Sequence, residues 1–592
     1  MPSILDALSA TYRAAFSALG HDESFGRVVE SDKAAPFQCN GAMAATGAAK
    51  KRGEKLNPRE VAGAVVAEVA GSPVIGAQDI AGPGFINIHP ADAAVTHRAA
   101  ALAQDPRTGA GEAERPETII VDYGGMNVAK PMHVGHLRSS VIGNALVRIL
   151  RFRGHTVIGD IHMGDWGLQM GHLISELQME RPDLPYFDPE IVDGYPEEPP
   201  VTIADLTRLY PQASAAAKAD PARMKASRRA TAEMQKGRPG YRALLQHFID
   251  VSVDELKRDL ARLGVEFELW NGEMCVDPLI PGMVEGLVKA GIAEVDDGAT
   301  IVRVELDDDK AEMPPVILLS STGAALYHTS DMATIVDRLD RDTPPDRMLY
   351  VVDQRQAQHF EQVFRAAAKA GWLDRDRMEH LGFGTMNGRD GKPFKTRAGG
   401  VLRLADLMDQ AEEKAAERLR EAGLGGELES DEFDAIAHKV AIAALKFADL
   451  QNPRMTNYVF DLDRFVAFEG KTGPYLLYAC VRIKSLLRKA AERGVEPGGV
   501  VPDHPSEVAL VLALDAFDRA LELAEAKRAP HVLCDHVYRV AQGFSKFYTD
   551  CPVLADGVEP EVAASRLALA TTVLRQLETG LDLLGIAVPD RM

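Results

Sequence analysis

Between residues 118 and 160 the sequence alternates in a way that a parallel sheet with a crossover helix accommodates. Thr118-Ile119-Ile120-Val121 is an apolar run of the length expected for a strand buried on both faces. After a glycine-bearing turn, Leu137, Val141, Ile142, Leu146, Ile149 and Leu150 recur at helical spacing until Gly154, where a helix can stop. Thr156-Val157-Ile158-Gly159-Asp160 then restarts a strand. Such a unit closes as a right-handed βαβ crossover, and its ligands bind beyond the carboxyl ends of the strands.

The rest of the chain is arranged around that unit. Ala81-Gly82-Pro83-Gly84 precedes a short β-type run at Phe85-Ile86-Asn87-Ile88, and Pro106 to Gly111 reads as a linker that few contacts cross. Residues 183–246 are Pro-rich, then polar and helical, with Lys225, Arg228, Arg229, Lys236, Arg238 and Arg242, and read as an insertion. Strand-like segments at 301–304, 316–319 and 349–352 predict that the sheet continues past it. Beyond about residue 405 only helical periodicity remains, at 434–450, 474–490, 506–526 and 561–584, which predicts a helical bundle. The expected units are therefore 1–110, 111–405 and 406–592. The 592 residues allow several separate cores.

Composition limits function. Hydrophobic residues make up 46% of the chain, yet no apolar run approaches the ~18 residues of a membrane span. The net charge of −21 argues against indiscriminate binding to polyanions, although a local basic face can still bind nucleic acid. Cys39, Cys275, Cys480, Cys534 and Cys551 are scattered, so neither a disulfide framework nor zinc is expected. The start has Asp6 and no basic n-region, which predicts a cytoplasmic protein.

The chemistry concentrates in Asn127-Val128-Ala129-Lys130-Pro131-Met132-His133-Val134-Gly135-His136-Leu137-Arg138-Ser139. At a strand-to-helix turn the backbone N–H groups favour an anion. His133 and His136, with Gly135 allowing close approach, can both donate to a phosphate chain, and Lys130 adds a mobile positive charge. The same two histidines could simply cap a helix; their place after a buried strand favours nucleotide binding.

That stretch, from Val121-Asp122-Tyr123 through Ser139, resembles the HIGH signature of class I aminoacyl-tRNA synthetases in its arginyl-tRNA synthetase form. His162-Met163-Gly164-Asp165-Trp166-Gly167, Phe37-Gln38-Cys39-Asn40, Ala81-Gly82-Pro83-Gly84-Phe85, Gly470-Lys471-Thr472-Gly473-Pro474-Tyr475 and Leu584-Gly585-Ile586 are similar blocks along the whole chain. The resemblance implies an α/β Rossmann-like catalytic domain with parallel sheet and insertion, an N-terminal α+β domain that touches the tRNA elbow, and a C-terminal all-α anticodon-binding bundle. It implies activation of L-arginine by ATP with Mg2+ and transfer to the terminal ribose of tRNA(Arg), with activation dependent on bound tRNA. No prosthetic group, zinc or membrane is implied, and a monomer is expected.

The resemblance also assigns residues. His133, His136 and Lys130 are the catalytic candidates; with Gly135, Lys392 and Lys395 they form the ATP site. Asp122, Asn127, His133, Tyr327, Asp331 and Gln356 are the arginine site. A carboxylate can clamp a guanidinium through two parallel bonds, and Tyr327 and Asp331, four apart, can line one cavity. By itself Asp331 reads better as a helix N-terminal residue complementing the dipole, and the resemblance reverses that; Asp122 competes with a structural strand-end role, and Gln354 and Gln358 with Gln356. The second signature, KMSKS, is degenerate in Gly388 to Gly400, with two registers open. Gly124-Gly125-Met126 stands where many relatives carry hydroxyls. Phe37, Gln38, Asn40, Tyr475 and Arg482 are the tRNA candidates, because aromatic faces stack on splayed bases and basic groups meet phosphate; Phe544 and Phe547 are expected in the core. A non-catalytic RNA-binding paralogue would be expected to lose His133, His136 or Asp331, and a small nucleotidyltransferase needs no C-terminal bundle.

Overall fold

The computed structural model describes residues 2–31, 33–388, 391–392, 402–426 and 428–592. Strands β1 (Val28–Glu30), β2 (Phe37–Cys39), β3 (Ile75–Ala81) and β4 (Phe85–Pro90) form an antiparallel sheet of order β1-β2-β4-β3. Helices Ile4–Ala18, Gly41–Lys51, Pro58–Glu68 and Asp92–Gln104 accompany it. The turn expected before Phe85 is the β3–β4 hairpin.

β5 (Thr118–Tyr123) and β6 (Thr156–Asp160) pair in parallel and are joined by the Val134–Phe152 helix. That helix lies close on the strand because Gly143 has no side chain: a Cβ there would stand 2.2 Å from Cγ of Tyr123. The insertion is built of helices Ile203–Ala219 and Pro221–Gln235, followed by the long Pro239–Leu263 helix. The sequence expectation then fails in one respect. β7 (Glu294–Asp296), β8 (Ala299–Val302) and β9 (Val316–Leu319) do not extend the parallel sheet but form an antiparallel one of their own. A two-residue turn with Asp297 at φ 48° and Gly298 at φ 80° closes β7 on β8, a geometry suited to a tight hairpin.

β10 (Arg347–Val351) and β11 (Met378–His380) return to the parallel sheet, whose order is β11-β10-β5-β6. Strand alternation divides its two faces. Ile119, Val121, Tyr123, Leu349 and Val351 pack with the Val134–Phe152 helix in one core. Met348, Tyr350 and Met378 pack in another with Met332, Ala333 and Ile335 of helix Tyr327–Leu339 and Phe360 and Phe364 of helix Ala357–Lys369. The sheet is thus covered on both faces, as all-parallel sheets are, and its carboxyl edge is left open between the two helix layers.

The remaining chain is helical from Leu404 to Leu583, apart from the two-residue β13 (Tyr458–Val459), which pairs with β12 (Met386–Asn387). The helix expected over 506–526 is two, Pro505–Asp515 and Phe517–Ala526, broken at Ala516. Phe544 and Phe547 are fully buried, as expected. No helix among the described residues is long and apolar enough to cross a membrane.

Residues 106–111 are not a free linker. Arg107 stacks 4.1 Å over the Phe152 ring and donates to its carbonyl, Thr108 is buried, and Gly111 N donates to Asp518 Oδ1 at 2.8 Å. The N-terminal unit docks directly on the bundle: Ile4 N and the Arg98 guanidinium both bond Asp515, and Gln576 donates to the Thr108 carbonyl. Pro and Gly in sequence signal a turn, but not whether the turn is covered.

Candidate active site

The turn after β5 is shaped by Gly124 at φ 99°, Gly125 at φ 63° and Ala129 at φ 63°, and it delivers His133 as N-cap of the Val134–Phe152 helix. Two reciprocal bonds hold the imidazoles: Gly135 N donates to Nδ1 of His133, and His133 N donates to Nδ1 of His136, each at 3.1 Å. The rings stack with centroids 3.8 Å apart, tilted by 17°. An Nδ1 that accepts leaves the hydrogen of a neutral ring on Nε2. Both rings are held neutral: burial lowers His133, and burial with His133 and Lys130 nearby lowers His136 to about 3. The turn therefore offers two Nε2–H donors at a helix N-terminus rather than two imidazolium charges. Lys130, the nearby cation, lies with Nζ 4.6 Å over the ring of Tyr210 on the insertion.

The turn after β6 interlocks with this one. Val128 N donates to the Gly164 carbonyl at 3.0 Å and Gly164 N to that of Met126 at 3.1 Å, which seats Asn127 beside Gly164. Asp165, in the same turn, accepts from Met274 N at 2.9 Å. Asp165 also brings in Glu273, which no local sequence signal marks. Burial, with Asp165 and Asp331 close by, pushes the Glu273 carboxyl up to about 7, and burial raises Asp165 to about 6. Tyr327 is 71% exposed, within electrostatic reach of Glu273. Asp331, one turn on, is hydrogen-bonded through Oδ2 to Nε2 of His359, whose ring lies 4.5 Å from that of His328. Tyr327 and Asp331 thus stand in electrostatic reach of Glu273, which with Asp165 makes an acidic cluster beside them.

The structure separates other candidates. Asp122, next to last in β5, pairs with Asp160 of β6 in the strand register, and both bond the buried Arg338 guanidinium, at 2.6 and 2.7 Å. Gln356 is exposed in the 354–356 turn, as are Gln354 and Gln358; from this segment it is His359, four residues from Arg355, that reaches Asp331. Sequence reading missed Glu273, His359, Arg338 and Asp160. Of these, Asp160 ended a quoted strand and His359 directly followed Gln358, whereas Glu273 and Arg338 stood in no quoted segment.

The residues that follow the second basic stretch, Leu402 to Leu404, border the first turn. Val134 N donates to the Leu402 carbonyl at 3.0 Å and Leu404 N to that of Met132 at 2.9 Å. Lys392 is exposed in that stretch, and Lys395 lies outside the described residues. Farther away, Phe37 is 4% exposed within the N-terminal core. This corrects the expectation that Phe37 stacks on a base: a strand residue on the sheet's inner face has no free ring face. Gln38 bonds Asn87 at 3.0 Å, and Asn40 is exposed. In the bundle, Tyr475 meets Tyr538 edge-on at 5.7 Å, and the Arg482 guanidinium lies 4.2 Å over the Tyr548 ring.

Family models match three consecutive stretches. Residues 3–89 match the arginyl tRNA synthetase N-terminal domain, 97–462 the catalytic domain of class I (R) tRNA synthetases, and 476–592 the DALR anticodon-binding domain. The chain is 59% identical over 595 residues to an arginine–tRNA ligase of Maricaulis maris and 57% identical over 596 residues to one of Hyphomonas neptunium, each alignment covering both chains fully. Its fold is similar to that of arginyl-tRNA synthetase from Plasmodium falciparum, with a TM-score of 0.82 at 21% identity and full coverage of both chains. With this sheet edge, its stacked imidazoles and its acidic cluster, the chain belongs to the arginyl-tRNA synthetase family.

Proposed function

We propose that the open edge of the parallel sheet activates L-arginine with ATP and passes it to tRNA(Arg), the chemistry of an arginine–tRNA ligase. The arginine carboxylate attacks the α-phosphorus of ATP and pyrophosphate leaves. A hydroxyl of the terminal ribose of tRNA then attacks the acyl carbon, and AMP leaves. The observation that carries this reading is that the turn bearing two neutral Nε2–H donors interlocks with the turn bearing Asp165, beside which the buried Glu273 carboxyl lies.

In this reading Nε2 of His133 and of His136 donates to phosphate oxygens, most strongly as charge builds on them in the transition state. Gly135, exposed in the first turn, admits the phosphates to the backbone N–H groups. Lys130 leaves the Tyr210 ring to meet the outer phosphates, and Lys392 and Lys395 approach them from the second loop. Mg2+ arrives on ATP, held by phosphate oxygens and water as is usual for that ion. Asp331 and Glu273 pair with the guanidinium, Tyr327 closes over it, Gln356 flanks it, and Asp122 and Asn127 take the α-ammonium and carboxylate.

Residues 1–110, 111–405 and 406–592 act as the elbow-binding, catalytic and anticodon-binding units. Gln38 and Asn40 contact tRNA at one end, Tyr475 and Arg482 at the other. The protein works as a cytoplasmic monomer. Charging of total tRNA with each amino acid in turn, with and without ATP, tests the reading: arginine alone should accumulate on tRNA, and any other amino acid in its place refutes it.

A further inference from the structure

On the sheet face turned toward helix Tyr327–Leu339, three strand ends present Tyr350, Asp122 and Asp160 in register. Arg338 descends on them from that helix. Its Nη2 reaches Oδ2 of Asp122 at 2.6 Å and Oδ2 of Asp160 at 2.7 Å, its Nε reaches the same Asp160 oxygen at 3.1 Å, and its carbon stands 5.2 Å from the Tyr350 ring centroid. The guanidinium is therefore committed mainly to Asp160. Two carboxylates share one guanidinium; His162, whose backbone N–H donates to Oδ1 of Asp160, is the other basic residue near them.

The three members differ in access. The side chains of Arg338 and Asp160 are 1% and 2% exposed, that of Asp122 13%. Asp122 is thus the most accessible of the three, and it lies at the carboxyl end of its strand, the side on which ligands bind in such sheets. Burial pushes the Asp122 carboxyl up against the opposing pull of Arg338, and Asp160 beside it adds to the rise; a cation arriving there favours the ionised form. Buried charges are tolerated when paired.

We infer that Asp122, Arg338 and Asp160 form a preset seat for the α-ammonium of the amino acid, in which Arg338 and Asp160 are positioning residues that aim and charge Asp122. The inference rests on the assignment of Asp122 to the amino-acid site. It adds that discrimination for the ammonium is set by two residues that touch no substrate. Asp160 supplies the second negative charge; Arg338, by binding both carboxylates, fixes the direction of the Asp122 oxygen left for substrate.

The test compares arginine with 5-guanidinopentanoate, which has the same guanidinium and carboxylate but no α-amino group, as competing ligands in tRNA-dependent ATP–pyrophosphate exchange. The native protein should prefer arginine. In Asp160→Asn, which keeps the volume but leaves Asp122 and Arg338 neutralising each other, arginine should weaken by about tenfold or more, the scale of one bond to a charged group. The analogue should bind as before, so that preference collapses. Arg338→Lys, which keeps the charge without the fork, should retain part of it, with melting confirming that both variants are folded. Equal weakening of the two ligands in Asp160→Asn, or no change in either, would overturn the inference and leave the triad a structural brace. A native protein that does not distinguish the ligands at all would instead overturn the assignment of Asp122 itself.

Discussion

Gly135→Ala separates the two things that the His133–His136 turn does, capping a helix and presenting donors. A Cβ on residue 135 would stand 2.8 Å from Cε1 and 2.9 Å from Nδ1 of His133, closer than carbon approaches such atoms, so the His133 ring must swing away. That movement breaks the Gly135 N bond to Nδ1 and unstacks the rings. Losing the cap costs about 1 kcal/mol, while replacing glycine by alanine in a helix returns up to about 1 kcal/mol. The two nearly cancel, and the melting temperature should barely move. The displaced donor should slow adenylate formation by about 10²–10³, the range for removing one donor aimed at developing negative charge. Because Asp331 and Glu273 belong to other elements, the guanidinium end of the site should be undisturbed, and the KM for arginine should rise by much less than the rate falls. TRNA-dependent ATP–pyrophosphate exchange at saturating substrates, read beside thermal unfolding, measures both quantities. A native exchange rate, or a rate loss matched by an equal loss of stability, would show that the imidazoles serve only as a helix cap.

Three further outcomes follow from the geometry. Asp331→Asn keeps its shape but loses the charge; with the native side chain 26% exposed, the loss should be about 1.5–3 kcal/mol, seen in the KM for arginine and not for ATP, and an unchanged arginine KM would remove Asp331 from the pocket. Glu273 and Asp165, raised by burial to about 7 and about 6, bind more protons folded than unfolded above their ordinary values. The unliganded protein should lose stability as pH rises through that window, while bound arginine, which favours the ionised carboxylates, should stabilise it more above pH 7 than below pH 6; an arginine-induced melting shift independent of pH would refute this. Removal of residues 1–108 strips Arg98 and the Ile4 N–H from buried Asp515, so the remainder should melt at lower temperature as well as bind tRNA with a raised KM; unchanged melting together with a native KM for tRNA would show that the docking contributes neither stability nor binding.

What could be read from the sequence was what nearest neighbours decide. A capping pair three residues apart, a glycine-bearing turn between an apolar run and an amphipathic stretch, and a four-residue spacing between Tyr327 and Asp331 are all settled within one or two turns of chain. The buried Phe544 and Phe547 were legible for the same reason. Tertiary structure decided whatever depends on charges meeting across the fold. Arg338 is 216 residues from Asp122 and 178 from Asp160, and no local pattern announces that one guanidinium will be divided between them. Glu273 gains its place beside Asp165 and Asp331 only when the chain returns from the insertion. Strand propensity placed β8 and β9 correctly but could not name their partners, because an apolar run specifies burial and not pairing direction. The turn at 106–111 likewise showed its bend and not its cover. Periodicity and capping act through bonds between near neighbours, whereas docking of domains and sharing of a buried charge depend on loop closures over hundreds of residues, settled by the total burial and charge balance of the folded chain.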